Sequence, residues 1–216
     1  MGGCCEPRGY DDMFGTRFSR RLARRYRKRG LDRTAARMVA FLTEHGIQGA
    51  SLLEVGGGVG DLQLELLRRG AARATNLELV DSYDADAHIL AADAGLSERV
   101  TRHQLDLAAA PEAIEPHDIV VLHRVVCCYP DYQRLLAAAA EHAKGLLVFS
   151  HPPRNLASRA VFAAQNLVFR LRRSPFRTFV HDPAAMSTAA EHDRLRTVYR
   201  HRGLTWHVVG LTASAT

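Results

Sequence analysis

Residues 52–62 read Leu52-Leu53-Glu54-Val55-Gly56-Gly57-Gly58-Val59-Gly60-Asp61-Leu62, a short apolar run closed by four glycines and then an acid. Ser51–Val55 reads as a buried strand, and the stretch after Gly60 through Arg69 reads as a helix. Glycines between a strand and its helix let the backbone bend sharply and approach a ligand closely. The free N–H groups of the helix start can face an anion. A Gly-x-Gly-x-x-Gly dinucleotide fingerprint counted from Gly56 would put Asp61 at its last small position, which close helix–strand packing does not accommodate. A phosphate loop would need Gly-Lys-Ser/Thr, which is absent. The remaining pattern is Glu-x-Gly-x-Gly-x-Gly; a ligand-free tight turn is its plain alternative.

Outward from this stretch, strands and helices alternate. Residues 17–29 read as a basic helix with Phe18, Leu22 and Tyr26 on one face, closed by Gly30. Asp32 reads as the N-cap of a second helix with Ala36, Val39, Ala40 and Leu42 toward a core, ended by His45-Gly46. Residues 1–16 read as irregular. After the glycine stretch come a strand at Ala74–Val80, a helix at Ala85–Ala94 and a strand at Val100–Leu105. A fully apolar strand lies within His117–Val126, followed by a helix at Tyr132–His142 and a strand at Leu146–Ser150. Helices at Leu156–Arg173 and Met186–Arg194 precede a hairpin of Thr197–His201 and Thr205–Leu211. Such alternation predicts an α/β doubly wound, mostly parallel sheet closed by an antiparallel hairpin. The division expected is residues 1–45 as an N-terminal lid with basic helices, and 46–216 as the main domain with an insertion at about 155–182.

The chain has 216 residues and a net charge of +6, with Arg17 to Arg29 carrying eight basic side chains. A basic run of this kind is a solvated helix face or a docking face for an acidic partner. The apolar fraction of 47% excludes global disorder. No run suffices to span a bilayer, and the start MGGCCEPRGYDD lacks a secretion signal's apolar core. Glu6 stands where a myristoylation signal wants Ser or Thr. The expected location is the cytoplasm. The cysteines form two adjacent pairs, Cys4-Cys5 and Cys127-Cys128, a spacing that argues against disulfides and fits zinc poorly. They read as small buried apolar residues.

The glycine motif and its place between strand and helix resemble the class I S-adenosylmethionine-dependent methyltransferases. That resemblance runs from about Leu52 to Leu211 and includes the closing hairpin; it implies a Rossmann-like seven-stranded sheet. It implies S-adenosyl-L-methionine as cofactor, held by Gly56, Gly58 and Gly60, with Glu54 organising the loop and the methionine amino group. Position alone puts an acid about 20 residues past the loop, at the end of the second strand, on the ribose hydroxyls. Glu78 fits that place, with Asp81 as second choice. The resemblance places Asp106 near the adenine. The Cys-Cys, Gly-Tyr-Asp and Cys-Cys-Tyr-Pro segments look similar to a bacterial subgroup labelled magnesium-protoporphyrin O-methyltransferase-like.

In an open α/β sheet the reacting groups lie beyond the strand carboxyl ends. The fourth strand runs into His123-Arg124 and then Cys127-Cys128-Tyr129-Pro130, and the fifth into His151-Pro152-Pro153. His123 and His151 are the base candidates, because imidazole titrates near neutrality. His123 also borders the cofactor. Tyr10, Cys127, Tyr129 and Phe162 are the candidate acceptor contacts, with Tyr10 in a lid and Phe162 in a cap. The carboxylates are too few for a catechol-type metal site, so no Mg2+ requirement is expected. The Asn/Asp-Pro-Pro-Tyr/Phe motif of base N-methylation is missing after the fourth strand. The expected function is methylation of a small-molecule acceptor, at oxygen. The alternatives are an RNA or protein methyltransferase docking through the Arg-rich helix, and a non-catalytic cofactor-binding protein. The acceptor and the oligomeric state are not written in the sequence.

Overall fold

A computed structural model describes residues 9–191 and 194–214. Helices α1 (Tyr10–Met13), α2 (Thr16–Arg29) and α3 (Arg33–Glu44) precede β1 (Ser51–Val55) and α4 (Asp61–Arg68). Then follow β2 (Arg73–Glu78), α5 (Asp84–Asp93), β3 (Val100–Gln104), β4 (His117–Leu122), α6 (Tyr132–Glu141) and β5 (Ala143–His151). The chain continues through α7 (Leu156–Leu171), α8 (Pro183–Ala190), β6 (Leu195–Arg202) and β7 (His207–Ala213). The sheet has seven strands in the order β3-β2-β1-β4-β5-β7-β6, parallel from β3 to β5, with β7 antiparallel to both β5 and β6. The expected fold class is therefore the observed one.

Period-two alternation sends the strand side chains into two cores. Leu52, Ile119, Val121, Leu146 and Val148 pack with α2 to α5 on one face. Leu53, Val120, Leu122, Leu147 and Phe149 pack with α6 and α8 on the other. Both faces being covered explains the uninterrupted burial of β1. Residues of α2 and α3 belong to the same core as β1 and α4, so that core runs across the boundary drawn at residue 45.

Several element readings need correction. The core face of α3 is Ala35, Met38, Val39, Phe41 and Leu42, while Ala36 and Ala40 are exposed. Met38 and Phe41 carry far more apolar area than the alanines, and burying them sets the helix rotation. The helix expected at Met186–Arg194 sits at Pro183–Ala190 instead. The Asp182 carboxylate accepts from Ala184 N (2.9 Å) and Ala185 N (3.2 Å), and Pro183 opens the first turn. Tyr10–Met13, expected irregular, is one short helix. The fifth strand is longer than expected at both ends, because Ala143 pairs with His117 of β4 and His151 with His207 of β7. Cys4 and Cys5 lie outside the described residues; Cys127 and Cys128 are free thiols.

Candidate active site

The strand order reverses between β1, which turns toward β2, and β4, which turns toward β5. The loops leaving β1 and β4 therefore diverge and open a crevice at their carboxyl ends. A cavity of about 300 Å³ occupies it, within the size range of small-ligand sites. Its floor is the 56–59 backbone, and its walls include Glu78, Tyr83, Asp106, His123 and Cys127.

The two glycines that matter most differ in what they face. A Cβ on Gly56 would lie 2.5 Å from Val125 Cγ2, so Gly56 lets the β1 and β4 loops close on each other. Gly58 has φ +55°, and a Cβ there would come into van der Waals contact with the Tyr83 ring at 3.6 Å. Gly58 and Tyr83 both line the cavity. Gly60 starts α4 and is not part of the cavity wall. Glu54 is also outside the wall: it is buried behind the loop, where Oε2 accepts from Gln63 N at 3.3 Å. Burial, reinforced by Asp61, pushes its carboxyl well above the usual range.

Glu78 ends β2, and its carboxylate accepts from the N–H of Gly58 and, at 3.3 Å, of Leu79. Burial pushes this carboxyl up to about 7, against the opposing pull of the Gly58 N–H and Arg102. In the folded chain alone this costs stability as pH rises from the ordinary carboxylate range through 7, because the native state holds the proton longer than the unfolded one. A ligand hydroxyl donating to the carboxylate favours the ionised form. Affinity for S-adenosylhomocysteine is therefore expected to be about tenfold weaker at pH 6 than at pH 8. Titration calorimetry across that range, with Glu78→Gln flattening the dependence, checks it.

Asp106 follows β3 and accepts the Tyr129 hydroxyl at 2.9 and 3.0 Å and the Ala108 N–H at 3.0 Å. Tyr129 thereby ties the β3 and β4 loops together, and burial and Asp106 push its phenol upward. Asp81 is not among the wall residues.

The roof is aromatic. The Tyr10 hydroxyl donates to the Cys128 carbonyl at 2.7 Å. The Tyr10 and Phe14 rings stand 5.8 Å apart, and both meet Phe176 edge-on at 5.6 and 5.5 Å. The Ser82 hydroxyl donates to the Phe14 carbonyl. Segment 174–182 is pinned from behind by Phe179 N to Cys127 O at 2.7 Å. Cys127 is buried, its Sγ 3.5 Å from that of Cys128, and the pairing and burial push its thiol up.

The histidines separate clearly. His123 is on the wall, with Nδ1 3.0 Å from Ser150 Oγ and Nε2 3.5 Å from Asp32 Oδ2. Ser150 Oγ also accepts the Arg124 N–H at 2.9 Å, which fits its hydroxyl donating to Nδ1. Both ring nitrogens are thus engaged, and neither offers a free lone pair to an acceptor. His151 lies outside the wall, buried, with Nδ1 2.8 Å from the Pro152 carbonyl; burial lowers it to about 4. Phe162 also lies outside: it sits half-buried on α7. Of the two base candidates only His123 is on the cavity wall, and the candidate acceptor contact Phe162 is not.

Sequence reasoning missed a cluster. Asp32 caps α3 through Oδ1 and turns Oδ2 to Arg124 Nη2 at 2.8 Å, with Arg25 at 3.7 Å. Burial raises the Asp32 carboxyl, but His123, Arg124 and the Ala35 N–H outweigh it and hold it well below the carboxylate range. Arg124 has φ +62° and lies 5.0 Å over the Trp206 ring. The Asp32 N-cap signal in the sequence covers only one of its two oxygens.

The sequence profile of a methyltransferase-domain family matches residues 23–207, and the chain belongs to that family. Members use S-adenosylmethionine as methyl donor. The structure is similar to magnesium protoporphyrin IX methyltransferase from Synechocystis PCC 6803 with bound S-adenosylhomocysteine. That match has 18% identity and a TM-score of 0.74, covering 94% of this chain and 97% of that one. An O-methyltransferase family protein from Burkholderia thailandensis is 16% identical with a TM-score of 0.72, covering 97% of this chain and 64% of that one. An O-methyltransferase family 2 protein from Planctomyces limnophilus, in complex with apigenin, is 19% identical with a TM-score of 0.67, covering 92% and 62%. No curated protein matches in sequence.

The residues present fit the donor. Gly58, Glu78 and Asp106 line one crevice, at the carboxyl ends of β1, β2 and β3, and would hold it there. When bound, the donor supplies a methyl group on a positively charged sulfur, already primed to leave.

Proposed function

We propose that this chain transfers the methyl group of S-adenosylmethionine to an oxygen of a small, largely apolar acceptor. The observation that carries this reading is the roof: Tyr10, Phe14 and Phe18 cover a cavity of about 300 Å³. Of the eight basic side chains of α2, only Arg25 reaches that wall. A polymer substrate would instead call for a cationic approach to the donor. Similarity to a magnesium protoporphyrin IX methyltransferase and to an O-methyltransferase family 2 protein in complex with apigenin supports a small ring-bearing compound in the same sense.

The chain's own contribution is alignment and exclusion of water. Gly58 and Glu78 fix the donor, the aromatic roof keeps solvent out, and Cys127 and Tyr129 bound the acceptor side. His123 is a positioning residue: bridged between Ser150 and Asp32, it holds Arg124 and α3 against the end of β4. Incubation with methyl-tritiated donor tests the reading against a small-molecule extract, purified RNA and purified protein. Label is expected in the low-mass, solvent-extractable fraction. Label confined to RNA or protein overturns it.

A further inference from the structure

Helix α7 presents an apolar row to solvent. Leu156, Ala160, Ala163, Ala164, Leu167 and Leu171 are all exposed and follow helical spacing, with Leu156 at 83%, Leu167 at 57% and Leu171 at 75% exposure. The row is held outward because the opposite side is fixed. Asn166 Nδ2 donates to Thr178 O at 2.8 Å and its Oδ1 accepts from Thr178 N at 2.9 Å, while Phe169 packs edge-on against Phe176 at 5.2 Å. A row this apolar on a soluble surface marks an interaction site.

Its charge says what covers it. From Pro152 to His181 the sequence has six arginines and no acid, equal to the whole net charge of +6. Arg154 pairs with Asp182, and Arg177 donates to the Ser174 and Phe176 carbonyls. Among the described residues Arg159, Arg170, Arg172 and Arg173 have no ion pair. At helical spacing, Arg159 and Arg170 border the apolar row, and Arg172 and Arg173 follow its end. A second copy of this face would set like charges against each other, and RNA would leave the leucines unused. An anionic lipid surface satisfies both features: the apolar row enters the acyl boundary and the arginines meet headgroup phosphates. No helix among the described residues is long and apolar enough to cross a membrane. We propose that α7 is an in-plane anchor that docks the chain onto an anionic membrane surface. Through Phe169 and Phe176 the docked helix is continuous with the ring cluster that roofs the cavity.

Co-sedimentation with vesicles of phosphatidylcholine, with and without phosphatidylglycerol, tests this. Binding is expected only to the anionic vesicles, falling about tenfold from low to high salt as the headgroup attraction is screened. The double variant Leu167→Glu, Leu171→Glu is expected to lose vesicle binding while keeping the wild-type melting temperature and donor affinity, because both side chains are exposed. Arg170→Gln with Arg172→Gln and Arg173→Gln should weaken binding chiefly at low salt, whereas Arg20→Gln with Arg24→Gln on α2 should not. Absence of anionic-vesicle binding overturns the proposal. So does a wild-type dimer in sedimentation velocity that Leu167→Glu dissociates, which assigns the row to a second copy. RNA binding abolished by the α7 arginine variant but untouched by the leucine variant, with vesicle binding unchanged in both, also overturns it.

Discussion

Replacing Gly58 by leucine is expected to abolish binding of S-adenosylhomocysteine while leaving the sheet folded. The backbone at Gly58 has φ +55°, and the space before it holds no protein atom closer than the Tyr83 ring at 3.6 Å. A leucine side chain would fill that space and block the donor. The left-handed conformation adds strain of about 1–2 kcal/mol, which a domain of this size tolerates. Affinity should fall roughly a thousandfold or more, about 4 kcal/mol. Titration calorimetry reads the affinity, and circular dichroism with a thermal melt reads the fold. A leucine variant that binds with wild-type affinity would mean the donor does not lie over this loop.

Removing residues 1–15 is expected to cut turnover on the order of a hundredfold while the core stays intact. The cut falls before Thr16 because Ser19, Ala23 and Tyr26 of α2 are buried. Tyr26 donates to Glu65 at 3.0 Å and accepts from Arg68 at 2.7 Å, so α2 remains anchored to α4. What is lost is the Tyr10 bond to the Cys128 carbonyl and the Phe14 ring against Tyr83, 6.5 Å between centroids. The roof then no longer excludes water or holds donor and acceptor in line. Steady-state kinetics on the true acceptor should show the loss mainly in kcat, together with faster release of S-adenosylhomocysteine in stopped flow. Unchanged kcat would remove the roof from the mechanism.

What could be read from the sequence was local or ruled by one spacing. The glycine loop is contiguous, and the position of Glu78 at the end of β2 follows from strand length, so both places were legible. The Asp32–His123–Ser150 bridge was not, because it depends on strand register and helix placement. His123 and Ser150 come together only because Leu122 pairs with Phe149, and Asp32 arrives from a helix packed over β5 and β7. The surroundings of His151 depend on pairing as well: it is not a loop residue past the fifth strand but its last residue, because β7 pairs with β5 as far as His151 and buries it. Helix α7 was legible as a helix, yet its two sides both carry apolar groups. Period alone does not say whether Phe162 and Phe169 or Leu167 and Leu171 face inward; the Asn166–Thr178 pair and Phe176 decide it.

A crystal structure with S-adenosylhomocysteine is the sharpest check on this donor site. Ribose hydroxyls are expected on the Glu78 carboxylate, the adenine beside Asp106, and the backbone of Gly58 against the ligand. The sulfur should face the space bounded by Tyr10, Cys127 and His123. Ligand bound elsewhere, away from Gly58 and Glu78, would contradict this placement.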